Sequence, residues 1–422
     1  MHNNVHKKGT RAWSVPHWLH AGLSSRGDAR VIDLLDQQRA LRRGPKIVAI
    51  GGGTGLSILL AGLRRYSGNL TAIVTVADDG GSSGRLRREL GILPPGDFRQ
   101  CIAALADVEP LMARLLQYRF HTGSGLQGHN LGNLLLAAMA DITGSFELGL
   151  RELSRVLAVQ GQIVPSTLDD VVLVAELRDQ SYLHGESSMH QDHASGDVCV
   201  DGRAPIARVF LKPAQARAYP EAVQAILDAD IVVIGPGSLY TSVLPNLLVH
   251  DIARAVAASA AYRVFVCNVA TEPGETDQYS AEDFLVAVER HVDAQLFDVV
   301  ITNTRLDASR PPYWRSDVVA AEWHARHDAE VLTADVVDQN NAVRHDPHKL
   351  AHMIIQAWTR QCRGGRRLRR AERTPHDAEP TRVRPGSTGT ARAQAAVSRR
   401  WTRWLSPLTV RRRLLGEWGL RW

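Results

Sequence analysis

The sequence has little cysteine, few aromatic residues and no long apolar run. Its 422 residues include four cysteines, none in a C-x-x-C pair, so a disulfide framework, a thiolate zinc site and a dithiol redox motif are not indicated. No stretch reaches the roughly 18 uninterrupted apolar residues of a membrane-spanning helix, and the N-terminal part has no apolar run typical of a signal peptide. We therefore expect a soluble protein of the cytoplasm.

Most of the chain also has no net positive charge, although the whole sequence has a net charge of +6. Residues 363–422 contain 16 arginines, no lysine and four acidic residues, whereas residues 1–362 contain 34 basic and 40 acidic residues. A pI of about 9.3 therefore describes a tail and not the body. We expect an N-terminal extension over residues 1–44, a globular domain over 45–357 and a disordered basic tail over 363–422.

Short apolar runs followed by polar loops dominate the predicted domain. Such runs cover residues 47–50, 71–77, 231–234, 264–267 and 299–302. Uninterrupted apolar strands are typical of parallel sheets that helices cover on both faces. The sequence therefore predicts an α/β fold with a doubly wound, Rossmann-like, mostly parallel sheet. Ligands of such sheets bind at the carboxyl ends of the strands, where the polar loops fall.

Two further regions interrupt this pattern. Residues 98–157 are rich in Leu and Ala and indicate helical insertions, whereas residues 162–177 and 208–211 indicate a small β segment. The intervening residues 182–203 are polar and contain three histidines, His184, His190 and His193. Their spacing fits no standard metal site, so we interpret this segment as a solvated loop.

A glycine loop, Gly52, Gly53, Thr54 and Gly55, follows the first predicted strand. Backbone N–H groups of such a turn can approach a phosphate at the start of the next helix. No lysine follows the glycines, which excludes a Walker loop, and Leu56 occupies the third glycine position of G-x-G-x-x-G. Two alternatives remain for this loop: a tight turn that is needed only for packing, and a dinucleotide-binding site.

Acidic and basic residues follow the second predicted strand and the turn after it. Asp78 and Asp79 can hold Mg²⁺ or ribose hydroxyls, and the segment behind them can bind phosphate oxygens. The alternative is a mobile acidic turn. Ligand residues expected here are Ser82, Ser83, Arg87, Asp97 and Arg99. Asp97 can instead cap the next helix.

Two more motifs concentrate hydrogen-bonding groups. The first contains His129, Asn130 and Asn133, whose amides can bind a sugar or base edge or cap the following helix. The second is another strand-to-helix glycine loop, and two such loops in one sheet suggest a diphosphate-containing ligand. Its candidate ligand residues include an aromatic ring for stacking: Gly235, Gly237, Ser238, Tyr240 and Thr241. The sequence contains no G-x-S-x-G, H-E-x-x-H or Cys-His nucleophile pattern.

Taken together, these motifs resemble the bacterial YvcK-type gluconeogenesis factor family of the CofD-like superfamily. The resemblance rests on residues 50–57, 77–87, 94–101, 128–133 and 235–247, in this order, and covers about 46–357. It implies a regulator that binds UDP-N-acetylglucosamine and supports cell shape and growth on gluconeogenic carbon sources. It also implies that Gly52–Gly55 and Gly235–Thr241 hold the nucleotide phosphates, with Thr54 as a hydroxyl ligand.

The alternative function is an enzyme similar to CofD, which transfers phospholactate from a nucleoside-diphosphate-activated donor to a deazaflavin acceptor. Asp78 and Asp79 would then be catalytic and hold Mg²⁺, a cofactor that ligand binding alone does not require. An NAD-type oxidoreductase is a third reading. Partners expected besides the UDP-sugar are a second copy of the chain, unidentified proteins and, through the Arg/Trp tail, an anionic membrane surface or nucleic acid. A solvated tail without a partner is the alternative.

Overall fold

The structure is a computed structural model that describes residues 36, 38–189, 204–305, 316–324 and 327–371. The strands in this part of the chain are β1 (Ile47–Gly51), β2 (Leu70–Val74), β3 (Gln162–Pro165), β4 (Val172–Leu177), β5 (Tyr182–His184), β6 (Ile206–Lys212), β7 (Ile231–Ile234), β8 (Tyr262–Val266), β9 (Val299–Asn303) and β10 (Glu330–Ala334).

The helices that precede β6 in the chain are α1 (Gly53–Leu63), α2 (Gly81–Leu90), α3 (Gly96–Leu105), α4 (Pro110–Gln117), α5 (Leu131–Thr143), α6 (Phe146–Val156) and α7 (Glu186–Met189). Those that follow are α8 (Pro220–Leu227), a π-helical turn (Leu239–Val243), α9 (Leu244–Leu247), α10 (His250–Ala258), α11 (Ala281–Val292) and α12 (Pro347–Ala371).

Seven strands form one sheet in the order β10-β9-β8-β7-β1-β2-β3, and every neighbouring pair is parallel. All residues of β1, β7 and β9 are buried. This burial explains why these strands are continuous apolar runs and not alternating ones. The predicted α/β fold with a doubly wound parallel sheet is confirmed. β10, which is partly exposed, was not predicted.

The chain reverses its direction of travel across the sheet between β1 and β7. From β1 the strands proceed through β2 to β3 on one side, and from β7 they proceed through β8 and β9 to β10 on the other. A crevice therefore opens at the carboxyl ends of β1 and β7, because their connections leave toward opposite sides. Both glycine loops predicted from the sequence begin at this point.

The β segment predicted after the helical region is divided between two sheets. β3 completes the parallel sheet, whereas β4 pairs with β5 and β6 in a separate antiparallel sheet. Residues 182–184 and 186–189 therefore form a strand and a short helix, where we expected a solvated loop. His184 lies at the end of β5, and His190 and His193 lie outside the described residues.

The predicted helical region consists of four separate helices, α3 to α6. Asn130 begins α5 by accepting hydrogen bonds from the backbone N–H groups of Gly132 and Asn133, and Gly144 ends it with a φ of 81°. The side chain of Ser145 then begins α6. The boundaries follow from the sequence because Asn and Ser are favoured caps and glycine adopts the left-handed conformation at little cost.

Ordered structure extends beyond both predicted domain boundaries. Residues 38–42 are helical, and the carbonyl of Leu41 accepts a 2.8 Å hydrogen bond from the N–H of Gly68. At the other end α12 continues past residue 363 to Ala371. α12 packs closely on α1, since a Cβ on Gly62 would lie 1.9 Å from the carbonyl oxygen of Pro347. The proposed tail beyond Ala371 lies outside the described residues.

In the part of the chain that the structure describes, no helix is both long enough and apolar enough to cross a bilayer.

Candidate functional site

The two glycine loops lie against each other at the carboxyl ends of β1 and β7. A Cβ on Gly55 would lie only 2.3 Å from the carbonyl oxygen of Pro236, so α1 approaches the second loop at a distance that only glycine permits. Asn246 joins the loops further, because its Nδ2 donates to the carbonyls of Gly51 at 3.0 Å and Ser242 at 2.8 Å. The predicted pair of loops therefore forms one structural unit.

Asn268 holds the second loop from the end of the neighbouring strand. Its Oδ1 accepts from the N–H of Gly237 at 3.1 Å, and its Nδ2 donates to the carbonyl of Gly237 at 3.0 Å. Gly235 has a φ of 76°, a conformation that strongly favours glycine. The loop shape is thus determined by hydrogen bonds from β8 as well as by its own glycines.

A cavity of about 420 Å³ opens over both loops. Its wall includes predicted ligand residues from the two loops and from the loops after β2 and before α3: Gly52, Gly53, Thr54, Gly55, Asp78, Asp97, Gly237 and Ser238. Further polar residues of the wall come from other parts of the chain: Gln100, Glu186, Ser242, Asn268, Thr271, Glu272, Ser316, Arg344 and His345. The structure therefore brings residues of four of the five predicted motifs to one cavity and adds residues that no motif indicated.

Arg344 is the sole lysine or arginine in the described wall of this cavity, and it is exposed. It lies next to His345, which is buried with 5% of its surface exposed. Neither residue was predicted, because the sequence around them contains no glycine loop, strand end or recognised spacing. Asn268 of the wall does carry a sequence signal, because it directly follows the apolar run 264–267 and so marks the carboxyl end of a strand.

Carboxyl groups dominate the charge of the cavity wall. The pKa of Asp97 is raised to about 7, chiefly by burial and also by the neighbouring charge of Asp78, while the N–H of Gly53 and the charge of Arg99 act in the opposite direction. Burial is also the main cause of the raised pKa values of Asp78 and Glu186. A carboxyl with a pKa near neutrality can both release and take up a proton under ordinary conditions.

The structure separates Asp78 from Asp79, which the sequence suggested as a pair of metal ligands. Asp78 lines the cavity, and its Oδ1 accepts a 2.8 Å hydrogen bond from the N–H of Gly80. Asp79 is directed toward α7, where its Oδ1 accepts a 2.7 Å hydrogen bond from the N–H of Ser187. The pair therefore contributes one carboxyl to the cavity wall, and its suggested role in holding Mg²⁺ stays a prediction. Within the described ranges, no three His, Cys, Asp or Glu side chains are grouped so as to hold a metal ion.

The predicted His129 motif forms a buried hydrogen-bond network outside the cavity wall. Ser82 is its centre: its Oγ lies 3.1 Å from Nδ1 of His129 and accepts from Nδ2 of Asn133 at 3.2 Å. Nε of Arg99 donates to Oδ1 of Asn133 at 3.0 Å. Since Asn130 caps α5, these residues join α2, α3 and α5 and stabilise α2, which follows Asp78, and α3, which carries Asp97.

Four other predicted ligand residues lie outside the cavity wall. Arg87 forms an ion pair with Asp170 and donates to backbone carbonyls. Tyr240 is buried in the core, where its hydroxyl lies 2.7 Å from that of Tyr279. Thr241 is also fully buried and does not line the cavity. Ser83, also outside the cavity wall, hydrogen-bonds the carboxyl of Asp78. The ligand roles suggested for these side chains stay predictions.

Fold and site together define a doubly wound α/β protein with a polar cavity between two glycine loops at the point where the strand order reverses. The sequence model of the family described as "2-phospho-L-lactate transferase CofD" matches residues 47–357. The chain belongs to this CofD family, and its similarity to proteins named gluconeogenesis factor, given below, assigns it to that group within the family.

The relatives match about three quarters of the chain. A putative gluconeogenesis factor of Nostoc sp. is 49% identical over 338 residues, which are 78% of this chain and 72% of the relative. The gluconeogenesis factor of Bacillus subtilis is 44% identical over 323 residues, 74% of this chain and 97% of the relative. A crystal structure of a UPF0052 family member from Bacillus halodurans has 41% identity and a TM-score of 0.65, and the match covers 74% of this chain and 99% of that one.

Proposed function

We propose that the cavity binds a nucleoside-diphosphate-linked sugar, UDP-N-acetylglucosamine, and that the protein is a gluconeogenesis factor acting as a regulator. In this role it would support normal cell shape and cell-wall formation during growth on gluconeogenic carbon sources. The observation that carries the proposal is the arrangement of two glycine loops and one arginine, Arg344, around a single cavity at the reversal of strand order.

A diphosphate suits the positive elements of this cavity. α1 begins at Gly53 in the cavity wall with no acidic residue in its own first turn, so the positive end of its dipole adjoins the cavity, where the N–H of Gly53 donates to the carboxyl of Asp97. Arg344 supplies a guanidinium, whose paired N–H groups match phosphate oxygens. Hydroxyls of Thr54 and Ser238 add neutral hydrogen-bonding groups. These features support an anionic ligand whose charge is concentrated in a small group.

A sugar suits the remaining wall. Carboxyl and amide groups such as those of Asp78, Glu272 and Asn268 accept hydrogen bonds from hydroxyl groups. The volume of about 420 Å³ is within the range of small-molecule sites. The relatives named gluconeogenesis factor support the physiological part of the proposal.

Calorimetric titration with UDP-N-acetylglucosamine tests the proposal. We expect binding in the micromolar range, weakened about tenfold or more in Arg344→Gln, because a charge-assisted hydrogen bond is lost. Arg254→Gln is the matched control, since Arg254 is an exposed arginine on α10 outside the cavity. Thr54→Val removes one hydroxyl at constant shape and should weaken binding by a smaller factor. No heat with the parent protein would refute the proposal.

The same variants test the physiological role. In a bacterial strain that lacks its own gluconeogenesis factor, the parent gene and Arg254→Gln should restore rod-like growth on a gluconeogenic carbon source, whereas Arg344→Gln should not. Equal complementation by all three would separate the regulatory role from ligand binding in this cavity.

A CofD-like transferase is the second candidate, and the pKa of Asp97 favours it. A carboxyl with a pKa of about 7 is suited to proton transfer at neutral pH, and positioning with charge neutralisation accounts for much of phosphoryl-type transfer. The test is to incubate the protein with a nucleoside-diphosphate-activated phospholactate donor and a deazaflavin acceptor, with and without Mg²⁺, and to search for the conjugate by mass spectrometry. Absence of product beside an active CofD control would exclude this activity.

A further inference from the structure

His345 is fixed in the cavity wall by one backbone hydrogen bond. Its Nε2 lies 3.2 Å from the carbonyl oxygen of Cys267, at the carboxyl end of β8. The N–H of Cys267 in turn donates to the carbonyl of Ile301 at 3.0 Å, which continues the ladder between β8 and β9. The position of the imidazole is therefore determined by the central sheet and not by a flexible loop.

The partner of Nε2 determines the tautomer of the ring. A carbonyl oxygen can only accept a hydrogen bond, so Nε2 must carry the proton. Burial lowers the pKa of His345 to about 4, which keeps the ring neutral at physiological pH. A neutral ring with a proton on Nε2 has a lone pair on Nδ1, so Nδ1 is an acceptor.

Nδ1 is the part of the ring that is left for a ligand. Nδ1 makes no hydrogen bond to the described residues. It is also not among the fully buried polar atoms that lack a hydrogen-bond partner, so part of its surface is accessible. His345 also lines the cavity beside Arg344.

We infer that Nδ1 of His345 accepts a hydrogen bond from an O–H or N–H group of the bound ligand and thereby selects ligands that present a donor at this point. The inference rests on the proposed function. A lone pair repels a phosphate oxygen, so the phosphates must contact Arg344 and the glycine loops, whereas His345 must face the ribose, the base or the sugar. Arg344 and His345 together then discriminate between the anionic and the hydroxyl-bearing parts of one ligand.

Two substitutions separate this role from the structural role of the ring. The amide nitrogen of Gln can occupy the position of Nε2, so His345→Gln preserves donation to Cys267 and removes the acceptor. The carbonyl of Asn can occupy the position of Nδ1, so His345→Asn preserves an acceptor and removes donation to Cys267. We expect His345→Gln to bind UDP-N-acetylglucosamine about 5- to 10-fold more weakly at an unchanged melting temperature. His345→Asn should melt at a lower temperature and bind within about twofold of the parent.

Calorimetry with each variant distinguishes failure of the inference from failure of the proposed function. If the parent binds the nucleotide sugar and His345→Gln binds it equally well, the inference is wrong and the proposed function stands. If the parent does not bind, both are wrong. Three ligand analogues each lack one donor, namely the 2′-deoxy, 3′-deoxy and N3-methyluracil forms, and each should bind the parent more weakly than the complete ligand does. Only the analogue that lacks the donor to Nδ1 should bind His345→Gln as tightly as the complete ligand binds that variant.

NMR spectroscopy of the parent protein tests the tautomer of His345 directly. A long-range ¹H–¹⁵N spectrum of protein labelled at histidine should show a neutral ring protonated at Nε2, assigned by its disappearance in His345→Gln. Addition of UDP-N-acetylglucosamine should shift the Nδ1 resonance toward the values of a hydrogen-bonded acceptor. A ring protonated at Nδ1, or an Nδ1 resonance unchanged at saturation, would overturn the inference.

Discussion

Asp97→Asn should stabilise the protein, and more strongly at alkaline than at acidic pH. The carboxyl of Asp97 has a pKa of about 7 in the folded protein, against an ordinary value of 3.8, chiefly because it is buried beside Asp78. The folded state therefore retains a proton that the unfolded state releases above pH 3.8. Stability is lost as the pH rises from about 4 to 7, because the unfolded state binds fewer protons over this interval.

The size of the effect follows from these two pKa values. Their difference of about three units corresponds to about 4 kcal/mol once the pH exceeds 7. At pH 5 the unfolded carboxyl is already ionised, and the cost relative to a neutral side chain is about 2 kcal/mol. The advantage of Asp97→Asn should therefore grow by roughly 2–3 kcal/mol between pH 5 and pH 8. The amide oxygen of Asn can still accept from the N–H of Gly53.

Urea unfolding of the parent and Asp97→Asn at pH 5 and pH 8 measures this difference directly. Asp141→Asn, an exposed substitution on α5, is the control, and its curve should stay parallel to that of the parent. A difference between parent and Asp97→Asn that is the same at both pH values would refute the reasoning, and so would destabilisation that increases with pH. Either result would mean that Asp97 is ionised in the folded state and that the cavity is more hydrated than its geometry indicates.

Three further predictions concern the loops and the ring of His345. Gly55→Ala should lower the free energy of unfolding by about 1–3 kcal/mol and abolish nucleotide-sugar binding, because its Cβ would lie 2.3 Å from the carbonyl oxygen of Pro236; Gly80→Ala, whose nearest contact would be at 3.5 Å, should behave like the parent in melting and titration. Asn246→Ala removes two buried donations to loop carbonyls and should cost about 1–3 kcal/mol by urea unfolding, and a change under 0.5 kcal/mol would contradict the joining of the loops. His345 has a pKa of about 4 in the folded protein against an ordinary value of 6.5, so the stability that the neutral ring contributes is present above pH 6.5 and is lost as the pH falls to 4. Over that interval the free energy of unfolding of the parent should fall by about 3 kcal/mol relative to that of His345→Gln. Parallel curves of unfolding free energy against pH would show that the ring is protonated in the folded protein.

The positions of the strands and of both glycine loops could be predicted because they depend on local properties of the chain. An uninterrupted apolar run such as residues 231–234 is stable only between covering layers, and a loop with glycines at Gly235 and Gly237 requires a backbone that other residues rarely adopt. Asn130 as a cap was one of two alternatives at the sequence level. Its choice depends on the neighbouring N–H groups of α5 and is likewise local.

The side chains that share the cavity could not be predicted, because adjacency across a sheet depends on strand order. Asp78 and Asp79 are neighbours in sequence, yet one lines the cavity and the other caps α7. Tyr240 follows a glycine loop but packs into the core, since the π-helical turn directs it to Tyr279. A residue of a sequence motif therefore need not line the cavity, because the packing of its side chain in the folded protein decides whether it does.

The sequence by itself determined the class of fold, the two glycine loops and the family, since these depend on short segments whose chemistry is local. The tertiary structure alone decided that the loops touch, that Asp97 is buried to a pKa near neutrality, and that Arg344 and His345 join them from the far end of the chain. The physical reason is that desolvation and convergence are properties of the space between elements, which exists only after β1 and β7 have become neighbours.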